Sequence, residues 1–274
     1  MLQDTDIKSK VKAESAADDN ETLSGNLRAF FIEVSLMVNF TGRFLKEVFI
    51  PPYEINELLK QCYIVGCRSL PLVGITGFIM GLVLTIQSRP TLAQFGAESW
   101  LPAMVAVSIV REIGPVITAL ICAGKVGSGI GAELSSMKVT EQIDAMEVSG
   151  MNPFKYLVVT KILSTTLMIP VLVVFSDAIS LYGSYVGVNI KGEISVQLFF
   201  SQVIEKLDFT DVFPAFIKTF FFGFAIGLVG CVKGYNSNNG TEGVGQSANA
   251  AVVIASLLVF IIDMIAVQIT SLTT

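Results

Sequence analysis

The chain has 274 residues, of which 52% are hydrophobic and only 15% are charged, and its mean hydropathy is +0.67. This balance leaves too little charge to cover a soluble domain of this size and predicts an all-α integral membrane protein with several spans. The net charge of -5 argues against a nucleic-acid partner, and the absence of histidine removes the commonest general base and a common metal ligand.

The N-terminal region divides into a polar stretch and an amphipathic one. Residues 1–25 are polar and mixed in charge, which predicts a disordered tail. Over residues 26–50, apolar side chains recur every three or four positions and charged side chains fill the other face, which predicts an amphipathic helix. We expect this helix to lie in the headgroup plane of a membrane and to end at Pro51 and Pro52. A weaker amphipathic stretch follows, from Tyr53 to Arg68.

Five apolar segments come next, each long enough to cross a bilayer. The predicted spans cover residues 69–88, 101–124, 154–190, 213–232 and 248–270. As a straight helix the third would be about 55 Å long, which exceeds a hydrocarbon core of about 30 Å. We therefore expect it to tilt, to project beyond the bilayer, or to break near Pro170 or Gly183.

The distribution of lysine and arginine predicts the orientation of the spans, because cytoplasmic loops are enriched in these residues. One side of the predicted layout collects most of them: Arg43, Lys46, Lys60, Arg68, Lys125, Lys138, Lys155, Lys161 and Lys233. The other side holds Arg89, Lys191 and Lys206. The N-terminus and the loops 125–153 and 233–246 are therefore predicted to be cytoplasmic, and the C-terminus is predicted to face outward.

The predicted loop after the second span opens with a glycine-rich stretch, Gly124 to Gly131. Its spacing matches neither a P-loop nor a dinucleotide-binding fingerprint, so we expect no nucleotide to bind this chain. The glycines instead favour close approach of helices at the end of the second span.

The second half of that loop predicts a short acidic helix. Thr140 is a suitable N-cap, and Gly150 followed by Pro153 is a suitable end. Val139, Ile143 and Met146 share one face of this helix, and the acidic residues Glu141, Asp144 and Glu147 cover much of the rest. Such a helix between two spans is suited to a groove on a soluble partner, and the alternative is a loop helix resting on the bilayer.

Charged residues within the spans are the candidates for a polar site. Arg111 and Glu112 are neighbours in the second span, and they point about 100° apart on a helix, so each should meet a separate partner. The other candidates are Lys218, Asp177 and Asp263. From the residues alone, a site for an amphiphile's headgroup and a buried ion pair that fixes helix register remain equally open.

Two long runs resemble a known family. The run VREIGPVITALICAGKVGSGIGAELSSMKVTEQIDAMEVSGMNPFKYLVVTK, from Val110 to Lys161, closely resembles the signature of the MlaE/YrbE-type permease family. The later run GTEGVGQSANAAVV, from Gly240 to Val253, resembles a second segment of that family. With the matching span layout, the likeness covers about residues 26–270, so residues 26–274 are interpreted as one permease domain.

This resemblance implies a subunit of an ABC-type complex in a bacterial inner membrane. Two permease chains would form a homodimer, with cytoplasmic ATPase subunits below and a periplasmic MCE-domain protein above. Such complexes move phospholipid or similar hydrophobic molecules between the inner and outer membranes. The chain itself would be a transport subunit and not an enzyme. It would have no metal or cofactor of its own, since ATP and Mg would bind the partner ATPase.

The resemblance also implies roles for particular residues. Arg111 and Glu112 would be polar residues at a lipid pocket between protomers, and Lys218 their basic partner. The short helix would be the coupling helix that docks on the ATPase, and its docking set is Glu133, Thr140, Glu141, Ile143, Asp144, Met146 and Glu147. The chain departs from the family in SGIGAELSSM, where alanines are more usual around Glu133, and this difference affects packing at the end of the second span.

Three other classes of protein are alternatives to this interpretation. A stand-alone secondary transporter of an amphiphilic small molecule needs an inverted repeat and a coupling-ion site, and five spans divide poorly into two halves. An intramembrane enzyme needs a nucleophile with a base, or paired acids. If the chain were a purely structural anchor subunit, changes in the pocket would not affect transport.

Overall fold

The computed structural model describes residues 31–51, 53–190, 194–237 and 240–273. The predicted tail, 1–25, and the first residues of the predicted 26–50 helix lie outside this part of the chain. The chain divides into two compact units, Met1–Lys46 and Glu47–Thr274.

Helix α1 occupies residues 31–48 and confirms the predicted helix over its described length. Phe31, Val38 and Leu45 recur every seven residues and are all more than half exposed. An apolar stripe therefore runs along one face of α1. Its position in the headgroup plane remains a prediction.

The first span is longer than predicted. Helix α2 (Ile55–Gly66) corresponds to the weaker amphipathic stretch, and helix α3 (Leu70–Gln94) continues past the predicted end at residue 88. Arg89 and Pro90 lie inside α3, where the guanidinium of Arg89 donates to the carbonyl of Val188 at 3.1 Å. A charged side chain with a partner near the end of a span does not have to end the helix.

The second span, α4, runs from Glu98 to Val139, a helical segment of 42 residues. The prediction of a loop beginning at residue 125 is therefore wrong as far as residue 139. Two π-helical turns, Ile109–Ile113 and Ala123–Gly127, interrupt its α-helical geometry. At about 1.5 Å per residue, α4 is roughly 60 Å long and extends well beyond a bilayer core.

The remaining elements agree closely with the predicted spans. After the short helix α5 (Gln142–Val148), α6 (Phe154–Asn189) is continuous through Pro170 and Gly183, so of the three alternatives for this span a break is excluded, and tilt and projection remain. Within the described residues, the segment 191–212 contains α7 (Val196–Lys206), for which no prediction was made. The fourth and fifth spans are α8 (Phe209–Tyr235) and α9 (Gly240–Thr273).

In the part of the chain that the structure describes, five helices are long and apolar enough to cross a membrane, which confirms the all-α integral membrane fold. The most apolar windows of α6 and α8 are 67% and 72% buried, whereas that of α9 is 17% buried. Helices α6 and α8 therefore form the centre of the second unit, and α9 lies at its edge.

Small residues allow the central helices to approach closely, as is usual between membrane spans. A Cβ built on Gly81 of α3 would lie 1.9 Å from the carbonyl oxygen of Ser180 in α6. A Cβ on Gly234 of α8 would lie 2.7 Å from the carbonyl oxygen of Gly131 in α4. This second contact confirms that the glycine-rich stretch serves helix packing, and packing explains why it is helical and not a loop.

Candidate functional site

A buried ion cluster joins three of the spans. The ammonium of Lys218, in α8, lies 2.6 Å from a carboxylate oxygen of Glu112 in α4 and 2.9 Å from one of Asp263 in α9. The Lys218 side chain is only 5% exposed. Removing a charge from water is costly unless partners compensate it, so the two carboxylates are what stabilise a cation at this position.

Arg111 faces a different partner from its neighbour Glu112, as predicted. Its guanidinium is 3.3 Å from the carboxylate of Asp211, in the first turn of α8. Asp211 and Lys218 are seven residues apart, so they share one face of α8 and lie two turns from each other. The Arg111 pair and the Lys218 cluster therefore follow one another along α8.

The backbone of α4 is irregular where Arg111 and Glu112 project. Both belong to the π-helical turn Ile109–Ile113, which closes when the amide of Gly114 donates to the carbonyl of Ile109. Pro115 follows and has no N–H to continue the helical hydrogen bonds. Such turns change the directions of side chains relative to a regular α-helix and are frequent at functional sites.

Asp177 approaches the same turn from α6. A Cβ built on Gly114 would lie 1.8 Å from its Oδ1 atom, so the carboxyl occupies space that only glycine leaves open. That oxygen is buried and has no hydrogen-bond partner in the part of the chain that the structure describes. The structure thus places Asp177 beside the cluster, in contact with its supporting backbone.

An apolar groove of about 520 Å³ opens next to Lys218, between α8 and α9. This volume is within the range of small-molecule sites. Lys218 is the charged residue in its lining, and the walls are aliphatic and aromatic: Phe213, Ile217, Phe221, Ile262, Ile265 and Ile269. A groove of this composition suits a molecule with a long apolar part and an anionic group.

The turn into α5 differs from the prediction. The hydroxyl of Thr140 donates to the carbonyl of Ser136 at 2.8 Å and so closes the end of α4. Glu141 takes the N-cap position of α5, with a left-handed φ of 58°. The prediction that Thr140 is the N-cap is therefore wrong, because its hydroxyl bonds backward to the preceding helix.

The end of α5 follows the prediction. Gly150 has a φ of 82°, and its amide donates to the carbonyl of Glu147 at 3.0 Å. The amide of Met151 donates to the carbonyl of Met146 at 3.1 Å. These two bonds form a Schellman motif, in which glycine is favoured because the position requires a left-handed backbone.

Helix α5 has one buried side chain and an exposed acidic surface. Ile143 is 1% exposed and anchors the helix, and Met146 is half-buried. Asp144 is exposed but lies 2.7 Å from the ammonium of Lys138, in α4. Val148 is 91% exposed, so an apolar side chain stands at the end of the acidic surface formed by Glu141, Asp144 and Glu147.

Glu133 lies in α4 and not on α5. Its carboxylate is 2.7 Å from the ammonium of Lys161, in α6. The residue was grouped with the docking set in the sequence analysis, whereas the structure engages its carboxylate within the chain.

Asp211 was not among the predicted residues, because the fourth span was predicted to begin at residue 213. Asp263 was a candidate for the polar site, but no partner was predicted for it. The seven-residue spacing of Asp211 and Lys218 was an available signal, because it places both on one helix face. Asp263 offers no comparable signal, since its partner lies on another span.

Among the described residues, no group of three or more His, Cys, Asp or Glu side chains is placed to hold a metal ion. The described residues form five spans, an intramembrane ion cluster beside an apolar groove, and a short exposed helix between two spans. Together these features define a multi-pass membrane protein of the permease class.

Comparison with known proteins gives the family. The family described as Permease MlaE matches residues 58–269. A probable ABC transporter permease protein of Rickettsia typhi is 34% identical over 232 residues, which are 85% of this chain and 90% of the relative. Another, from Synechocystis sp., is 35% identical over 221 residues, 81% of this chain and 84% of the relative.

The intermembrane phospholipid transport system permease protein MlaE of Haemophilus influenzae is 35% identical over 210 residues, 76% of this chain and 80% of the relative. The resemblance seen in the sequence is therefore confirmed, and the chain belongs to the MlaE permease family.

Proposed function

We propose that this chain is the permease subunit of an ATP-driven transporter that moves phospholipid, or a similar lipid, between the inner and outer membranes of a bacterium. Membership of the MlaE family supports the transporter class, and similarity to the phospholipid transport permease of Haemophilus influenzae supports the substrate. The observation on which the proposal depends most is the Lys218 cluster beside an apolar groove.

The cluster supplies the polar part of a lipid site. An anionic headgroup takes its place against Arg111 and Lys218, and the acyl chains lie along the groove. Glu112 neutralises Lys218 at 2.6 Å when no lipid is bound. Headgroup binding is therefore an exchange of one anion for another at Lys218, which avoids leaving a buried ammonium unpaired.

The energy comes from a separate subunit. The relatives are permease proteins of ABC transporters, a class whose energy comes from ATP, so we assign ATP and Mg to a separate cytoplasmic ATPase and transport alone to this chain. Helix α5 is the docking site for that ATPase, with Ile143 as its internal anchor and its acidic surface as the contact. When the ATPase subunits close, they move α5, which shifts α4 and α6 and narrows the groove.

The assembly is a homodimer in the inner membrane, with a periplasmic MCE-domain protein on its outer side. The low burial of α9, 17% of its most apolar window, leaves a face for lipid or for a second copy of the chain. The N-terminus and α5 are cytoplasmic and the C-terminus is periplasmic, on the basis of the lysine and arginine distribution.

The test of the lipid site is Glu112→Ala in the complex with its ATPase. We expect slower ATP-dependent transfer between liposomes, because Lys218 loses the carboxylate that takes the place of the headgroup when the lipid leaves. Glu98→Ala, an exposed acid at the start of α4, is the matched control. Normal transfer by a protein that merely unfolds at lower temperature would favour the ion pair as a fixer of helix register.

A further inference from the structure

A second buried lysine lies near α5, far along α4 from the Lys218 cluster. Lys161, in α6, has a side chain that is 1% exposed. Its ammonium is 2.7 Å from the carboxylate of Glu133 in α4 and 3.3 Å from the side-chain oxygen of Gln61 in α2. One cation thus joins three helices at the end of the molecule nearest α5.

The hydrogen bonds continue beyond Gln61. Its amide donates to the carboxylate of Glu57 at 2.7 Å, and the hydroxyl of Tyr156 donates to the same carboxylate at 3.2 Å. Because Tyr156 belongs to α6, the chain of bonds leaves α6 at Lys161, crosses α2 and returns to α6. Helix α2 is therefore tied twice to α6 and, through Lys161, to α4.

These residues lie on the two segments that hold α5. Glu133 belongs to Ser128–Val139, the last part of α4 before the turn into α5. Tyr156 and Lys161 belong to the first two turns of α6, which follows α5. If the two segments moved apart, the Lys161–Glu133 pair would separate and the buried ammonium would lose its anion. Because that loss is costly, the pair favours movement of the two segments together.

The two partners differ in how easily they could separate. The Glu133 side chain is 53% exposed and can be solvated, whereas Lys161 is enclosed. Gln61 offers the ammonium a second oxygen at 3.3 Å. Separation would therefore leave the enclosed ammonium, and not Glu133, without a charged partner, which favours a pair that stays closed while the segments move together.

We propose that Lys161 is a positioning residue that transmits the movement of α5 to the spans. By holding α2, α4 and α6 together, it makes a displacement of α5 move α4 as a whole, including the turn that bears Glu112. This inference rests on the proposed function, since it concerns how the ATPase acts on the lipid site.

The experiment compares Lys161→Met with the double variant Lys161→Met/Glu133→Met, each purified with its ATPase. The complexes are placed in liposomes of phosphatidylethanolamine and phosphatidylglycerol that contain a fluorescent phosphatidylethanolamine. For both variants we expect ATP hydrolysis to persist while lipid moved per ATP falls roughly tenfold, within the usual range of coupling between two sites. Lys161→Arg should retain most of this ratio, and the distant Lys206→Met should retain all of it.

The double variant separates transmission from stability. Because Lys161→Met removes the enclosed charge and Glu133→Met removes its partner, the double variant leaves no unpaired charge at this position. If the pair only fixes packing, the double variant will move lipid at the wild-type ratio, and the proposal is overturned. A proportional loss of hydrolysis and transfer also contradicts it. If the wild-type complex captures no ATPase or moves no lipid, the proposed function itself has failed.

Discussion

Two buried lysines mark two differently built regions of this protein. Lys218 bonds two acids, from α4 and α9, and lies beside an apolar groove of about 520 Å³. Lys161 bonds one acid and one amide, from α4 and α2, and lies in a chain of hydrogen bonds that returns to its own helix. The region of Lys218 therefore leaves space for a ligand, whereas the surroundings of Lys161 are occupied by other residues of the chain.

Helix α4 is the element that the two regions share. It supplies Glu112 to one lysine and Glu133 to the other, and it is helical throughout from Glu98 to Val139. A helix transmits displacement along its axis better than a loop does. Because α4 is one continuous helical segment, a displacement at one of the two regions can move the other. We therefore expect changes at α5 to affect the association with the ATPase. Changes near Glu112 should affect lipid binding and the thermal stability of the chain.

The largest expected effect is from charge reversal on α5, Glu141→Lys with Asp144→Lys. Like charges placed across an interface cost several kcal/mol, so association with the ATPase should weaken by roughly a hundredfold or more. Lipid that co-purifies with the chain should be unchanged, because the Lys218 region is untouched. Pull-down of the ATPase and lipid extraction from the same sample measure both.

The intrachain pair of Asp144 with Lys138 calls for a control. Adding Lys138→Glu to the double variant restores an ion pair across the turn with reversed polarity. If ATPase binding returned in this triple variant, the loss would come from a distorted turn and not from a lost acidic contact.

A smaller effect is expected from Gly114→Ala, in the region of Lys218. The new Cβ would lie 1.8 Å from Asp177 Oδ1 and 2.9 Å from the carbonyl oxygen of Ile109, and such overpacking typically costs about 1–3 kcal/mol. Gly129→Ala, in the other half of α4, meets no atom within 4 Å and should be neutral or stabilising by up to about 1 kcal/mol. Thermal unfolding in detergent measures both, and equal effects would contradict the packing described here.

The sequence predicts the five spans well because apolar runs of that length with few charges have few alternatives to a membrane helix. It errs at their ends. Arg89 and Pro90 indicate a stop by local rules, yet the bond of Arg89 to Val188 keeps them within α3. The glycines after residue 124 have low helix propensity, but the stretch is helical, with Gly127 against α8 and Gly131 against α9.

The candidate site is predicted in part. The cost of a charge in a span singles out Arg111, Glu112 and Lys218 from the sequence, whereas pairing between spans requires the fold. Thr140 shows another limit, since a hydroxyl beside a helix boundary can bond forward or backward, and only packing decides which. The link from Glu133 to Lys161 likewise depends on how α4 and α6 pack.

The smallest expected effect comes from salt. Raising ionic strength from about 0.1 M to about 1 M shortens the Debye length from about 10 Å to about 3 Å, so contacts of the exposed acids of α5 should weaken severalfold. The buried Lys218 pairs are screened much less, so lipid retention should not change. Titration of ATPase binding at several salt concentrations tests this, and a salt-independent affinity would argue against an acidic docking surface.

The central claim is that a soluble ATPase acts on this chain through α5. A photo-cross-linking amino acid placed at Val148, 91% exposed at the end of α5, tests it directly in intact cells. Phe95, 80% exposed in the turn between α3 and α4, is the matched control position. We expect an adduct with a nucleotide-hydrolysing subunit from position 148 and none from position 95. No ATPase adduct at 148, or an equal one at 95, would contradict it.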